Sequence, residues 1–204
     1  MQIEALNKRG YFNLYIIDNN STYKPLLSYY KTNKISVFYL GENIGFLSIW
    51  KTLVYEYFKD SYYVYTDSDL IPSSQCPDDF MDHFRKLLVK YPEIDKVGFG
   101  LEIDDLPAHY SLRTQVQEHE RQFWQDEVEK DVYDAMIDTT FALYRPKKRG
   151  GYWLKSLRTG GNYKALHLPW YSDPGKLSEE DKYYNINVKT STHWTDLLNG
   201  KNEN

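Results

Sequence analysis

Short apolar runs alternate with polar, turn-forming segments along most of the chain, and the apolar period changes from run to run. Residues 13–17 (NLYII) form a β-prone run that stops at Asp18-Asn19-Asn20-Ser21-Thr22, side chains that bond their own backbone in turns. A helix is predicted next, over 24–31. Residues 35–39 (ISVFY) form a second strand, closed by the turn-rich LGENIG. Over 46–58, Leu47, Trp50, Leu53, Val54, Tyr57 and Phe58 recur at helical spacing and predict an amphipathic helix. A third strand, 62–66, runs straight into Asp67-Ser68-Asp69. Residues 78–90 (DDFMDHFRKLLVK) read as an amphipathic helix with Asp78 as its N-cap. Residues 95–103 predict a fourth strand ending at Asp104-Asp105-Leu106-Pro107. The polar stretch 111–130 is predicted helical, and 139–146 (TTFALYRP) is a fifth strand. The remainder reads as Gly-rich turns with aromatic patches, RTGGNYKALHLPWY and STHWTD. No repeat or low-complexity segment is present.

Strands that alternate with helices imply an α/β fold with a mostly parallel sheet covered on both faces. In such sheets the ligand lies outside the carboxyl ends of the strands. Asp18-Asn19-Asn20, Gly41-Glu42-Asn43, Asp67-Ser68-Asp69 and Asp104-Asp105 all stand at those ends. Asp138 joins them if the strand it precedes runs antiparallel beside the third.

Composition narrows the class. A chain of 204 residues suits one domain. A net charge of −4 without a basic stripe argues against nucleic-acid binding. The single cysteine, Cys76, excludes a disulfide framework or a cysteine metal cage, and the expectation is a reducing, cytoplasmic setting. No run of 18 apolar residues predicts a membrane span, and the start (MQIEALNKRG) has no signal-like apolar core. Aromatics reach 17%, with 20 Tyr; a surface rich in rings suits sugars and bases, while a lineage favouring Tyr, Lys and Asn codons gives the same number.

Asp67 and Asp69 carry the sharpest chemistry. A lone Asp-x-Asp arises about once by chance at this Asp content. This pair, however, ends a strand that reads as buried, where unpaired carboxylates are costly. Two neighbouring carboxylates repel, and a cation lets both ionise. Oxygen ligands select Mg²⁺ or Mn²⁺, which neutralises charge on a departing diphosphate.

Strand–Asp-x-Asp, the upstream IDNNST, the downstream DTTFALYR and the late HLPWY together resemble the GT-A-fold glycosyltransferases, nearest to their family 2-like group. The resemblance runs from about Tyr11 to Asp196. It implies one Rossmann-like nucleotide-diphospho-sugar transferase domain over 1–204, a mixed, mostly parallel sheet flanked by helices. It implies a metal-dependent transfer from a UDP-sugar to a glycan or other hydroxyl acceptor, with inversion. Asp18, Asn19 and Asn20 would then read the nucleotide, unless DNNS only forms an Asx turn and cap. Asn43 and Gly45 would let the backbone approach it, unless Gly45 only starts a helix. Asp67 would face ribose and metal with Ser68 beside it, and Asp69 would ligate Mn²⁺ or Mg²⁺. His167, then His193, would complete the metal shell. Asp138, Asp104 and Asp105 are the candidates for the base that takes the acceptor proton and for holding sugar hydroxyls. Trp170 and Tyr171 are candidates for ring stacking or for core, and Arg158 and Lys164 for diphosphate neutralisation or for solvated charge.

Two departures accompany the resemblance. Only ten residues precede Tyr11, so the family's first strand–helix unit is not represented, and a partner or further segment would complete the sheet. The family's late Glu-Asp pair is absent after GGYW. A non-catalytic nucleotide- or carbohydrate-binding remnant is therefore the alternative. An Asp-nucleophile phosphotransferase is disfavoured, because Ile71 stands where that class has Thr or Val.

Overall fold

The computed structural model describes residues 1–187. Its order is helix α1 (Gln2–Lys8), strand β1 (Tyr15–Asp18), α2 (Lys24–Thr32), β2 (Ser36–Tyr39), α3 (Ser48–Lys51), a 3₁₀ turn (Leu53–Tyr57), β3 (Tyr63–Tyr65), β4 (Leu70–Pro72) and α4 (Phe80–Lys90). There follow β5 (Lys96–Leu101), α5 (Arg113–Arg121), β6 (Glu127–Glu129), β7 (Val132–Asp134), β8 (Ala142–Tyr144), β9 (Ser156–His167), a 3₁₀ turn (Leu168–Tyr171) and α6 (Glu179–Asn187).

Seven of the nine described strands form an open mixed sheet flanked by helices, an α/β arrangement compatible with a Rossmann-like fold. The larger sheet runs β3-β8-β5-β9-β7-β6, with β4 on the far half of β9. The expectation of mostly parallel pairing is corrected: β5–β9 and β1–β2 are parallel, and the other five pairs are antiparallel. The reason is β8, which enters between β3 and β5 from the opposite direction and so leaves those two strands aligned without touching. β1 and β2 form a separate two-stranded sheet.

The main core lies between α4 and the larger sheet. Phe80, Phe84, Leu87 and Leu88 recur at one face of α4 and pack with Val97, Phe99, Phe141, Leu143 and Leu157. The predicted cap Asp78 does not cap α4; it pairs with Arg9 at 3.5 Å instead, and Asp79 precedes the helix. A second core gathers Ile49, Trp50, Val54, Tyr55, Tyr63, Ile137, Ala142 and Tyr144, with Ile17 and Phe38 of the small sheet packed against it.

Three element predictions need correction. The helix expected over 46–58 is broken at Thr52, whose extended backbone lets its hydroxyl donate to Ser48 O (2.9 Å) and accept from Val54 N–H (3.4 Å). The helix expected over 111–130 stops at Arg121, and EVEKDVYD forms the β6–β7 hairpin. Its turn puts Asp131 at φ +59°, with the Asp131 N–H donating to Glu127 Oε1 at 2.8 Å. RTGGNYKALH is not a run of turns but most of β9. Four residues bulge out between Thr159 and Lys164, which pair with consecutive residues Phe99 and Gly100.

Candidate functional site

Asp67, Ser68 and Asp69 make the turn between β3 and β4, and long-range bonds set it. Asp67 N–H donates to Thr139 O (3.1 Å), and the Thr139 hydroxyl donates back to Asp67 Oδ2 (2.8 Å). Because β8 is antiparallel to β3, its entry segment lies beside this turn, which brings in Asp138. Asp138 is exposed, and its Oδ1 accepts from Thr140 N–H at 3.0 Å. On the other flank, Leu70 of β4 pairs with His167 of β9. Leu168 N–H donates to Asp69 O (2.8 Å), and His167 Nε2 stands 3.4 Å from Asp69 Oδ2.

The two carboxylates therefore sit in different settings. Burial pushes the Asp67 carboxyl up to about 7; the Thr139 hydroxyl bond opposes this, and the charges of Asp69 and Asp138 reinforce it. Burial raises Asp69 too, but the His167 bond and charge outweigh it and hold that carboxyl below its ordinary value. Asp69 Oδ1 and His167 Nδ1 are buried atoms without a hydrogen-bond partner among the described residues.

No cluster of three His, Cys, Asp or Glu side chains gathers as a cation cage among the described residues. The donor set is smaller: one ionised carboxylate facing one imidazole, each with an unused buried atom. A cation held by that pair would need a deprotonated imidazole and would take its remaining ligands from phosphate oxygens and water. His193 lies outside the described residues.

The predicted nucleotide-side residues come together at the small sheet. Asp18 is buried at the end of β1, and its Oδ1 accepts from Ser21 N–H at 2.8 Å, an Asx-type turn. Asn19 ties this turn to the 43–45 turn: its Nδ2 donates to Gly45 O, and its Oδ1 accepts from Ile44 N–H, both at 3.2 Å. Asn43 Oδ1 accepts from Gly45 N–H at 3.0 Å. Asn20 and Gly45 both take positive φ, +68° and +85°. Ser68 is exposed at the tip of its turn.

Other candidates fall elsewhere. Asp104 and Asp105 are exposed beyond the end of β5, where Asp105 Oδ1 accepts from the Tyr171 hydroxyl at 2.5 Å. Trp170 is core, 2% exposed, with its ring edge-on to His167 at 4.6 Å, so it offers no stacking face. Arg158 is neither a diphosphate ligand nor solvated. It is buried, paired with Glu120 at 2.8 Å, and its guanidinium lies 3.9 Å from the Phe123 ring centre. Lys164 pairs with Glu102 at 2.5 Å.

Three contributors escaped sequence reasoning. Thr139 lay in a motif already singled out. Gln2 had no local signal, yet its Nε2 donates to Asp67 O (2.8 Å) and Leu70 O (2.7 Å) across the β3–β4 turn. Lys96 is the one charged residue of β5 as it forms, Lys96–Leu101; the predicted strand 95–103 also held Asp95 and Glu102, which hid that signal.

No helix among the described residues is long and apolar enough to cross a membrane. No protein-family profile, no curated protein and no solved structure matches this chain.

Proposed function

We propose that the protein is a metal-dependent glycosyltransferase of the GT-A type, moving a sugar from a nucleotide-diphosphate donor, a UDP-sugar first among them, to a hydroxyl acceptor. The observation that carries this reading is the split turn: Asp69 ionised against His167, Asp67 half-buried beside it, and Asp138 on the Asp67 side. Asp69 and His167 would hold Mn²⁺ or Mg²⁺, which supplies neutralising charge to the diphosphate when bound. Asp138 takes the acceptor hydroxyl proton as that oxygen attacks the anomeric carbon. The bond from that carbon to the diphosphate oxygen breaks, and the nucleoside diphosphate departs from the opposite face, with inversion. The Asn19-tied turns form the nucleotide side.

The break between the small and large sheets favours a second reading, a chain that binds the donor without turnover. Calorimetry of UDP binding, with and without Mn²⁺, on the parent chain and Asp69→Asn tests the first step. Metal-dependent binding that the substitution abolishes is the expected outcome. A folded parent chain that binds none of UDP, GDP and dTDP overturns both readings. Binding without transfer from any UDP-sugar to acceptor or water supports the second.

A further inference from the structure

Lys96, the first residue of β5, has no exposed surface. Burial pushes the Lys96 amine down to about 7, and its N–H donors, three when it is charged, must find oxygens in the fold. Lys96 Nζ donates to Ile137 O (2.5 Å), Asp138 O (3.0 Å) and Gly151 O (2.9 Å), and it lies 3.2 Å from the Tyr144 hydroxyl. All four are neutral oxygens. Three belong to main chain outside the sheet, from two segments that have no ladder of their own to hold them.

The contact continues into the site. Asp138, anchored through its carbonyl, has its carboxylate held by Thr140 N–H. The next residue, Thr139, bonds Asp67 through both main chain and side chain. Lys96 thus stands at the base of one continuous hydrogen-bonded path that ends at the β3–β4 turn. Ser156, whose hydroxyl accepts from Ile137 N–H at 3.1 Å and donates to Ala135 O at 2.8 Å, supports the same segment from β9.

We propose that Lys96 is a positioning residue of the candidate site: its buried amine ties residues 137–138 to residue 151 and so holds the Asp138 side chain, and through Thr139 the Asp67 carboxyl, in their working arrangement. The working arrangement rests on the glycosyltransferase reading; the tie itself does not. Loss of the Lys96 amine leaves the Ile137 and Asp138 carbonyls without that donor, leaves Gly151 O only the long Leu154 N–H bond (3.4 Å), and frees the Asp138 segment, while the Asp69–His167 pair, attached through β4 and β9, stays in place.

Residue-resolved amide exchange on the full chain, with Lys96→Met, separates this from a general structural role. The reporters are the amides of Ile137, Thr140 and Leu154, the last bonded to Gly151 O at 3.4 Å. The controls are Phe99, bonded to Phe141 O, and Tyr91, bonded to Leu87 O. The reporters are expected to exchange roughly tenfold faster or more, with the controls little changed. Equal acceleration everywhere, or none, overturns the proposal. If Lys96→Met does not fold, the parent chain decides. Its three reporters must then open together in low denaturant, apart from the controls, and unrelated openings overturn the tie. In a chain that transfers sugar, kcat should fall while the UDP–Mn²⁺ affinity holds; a parallel loss of both overturns the positioning role. A parent chain that binds no nucleotide removes the functional reading and leaves the exchange result standing.

Discussion

Asp67 and Asp69 are separated by one residue, and tertiary contacts make them chemically unlike. The folded chain keeps a proton on Asp67 up to about pH 7, mainly because the carboxyl is buried, whereas the unfolded chain releases it near the ordinary value of 3.8. Between those values the folded state binds more protons, so stability falls as pH rises across the window and levels above it. Metal-free protein should show this as a declining urea midpoint from about pH 4 to 7, and Asp67→Asn should flatten it. The Asp-x-Asp spacing was legible in the sequence, as was its place at a strand end. The difference between its two carboxylates was not, because Thr139 and His167 reach them from 72 residues and about 100 residues downstream.

At the scale of elements, β9 is the strand that local reasoning lost. Its paired glycines read as a turn because Gly usually ends strands; here Gly161, at φ +57°, lies in a bulge between two paired halves. Glycine matters differently in β5, where close approach rather than φ is at stake. A Cβ on Gly98 would stand 2.2 Å from Phe141 O, main chain just before β8, a strand paired on both sides. Gly98→Ala should therefore cost about 1–3 kcal/mol in urea unfolding. Gly151→Ala, whose nearest contacts are ordinary at 3.7 Å, should stay within about 0.5 kcal/mol.

The molecule as a whole has two sheets of unequal strength. A two-stranded sheet is marginal alone. β1 and β2 rest on Ile17 and Phe38 against the second core, on ring contacts such as Tyr15 to Phe58 (5.2 Å), and on the Asn19 tie. Native-state amide exchange should find β1 and β2 opening at lower denaturant than β5, with Asn19→Ala lowering that threshold further. If the nucleotide lies on these turns, UDP with Mn²⁺ should raise the threshold in the parent chain and not in Asp69→Asn.

By itself the sequence determined what neighbours within a few positions decide. The apolar period of α4 and the turns after β1 and β2 stand where it placed them, and carboxylates follow β1, β3 and β5 as read, but not along one sheet edge, because β1 belongs to a separate sheet. Asp138 stands as read at the entry to an antiparallel β8. Tertiary structure decided what depends on distant partners. It set the mixed pairing, the burial of Trp170 and of Arg158 beside Glu120, and the Lys96 tie to residues 137, 138 and 151. Periodicity is a local property of the chain. Burial and strand pairing are free-energy outcomes of long-range packing, and the same Lys or Arg is surface or core according to which acceptors the fold brings to it.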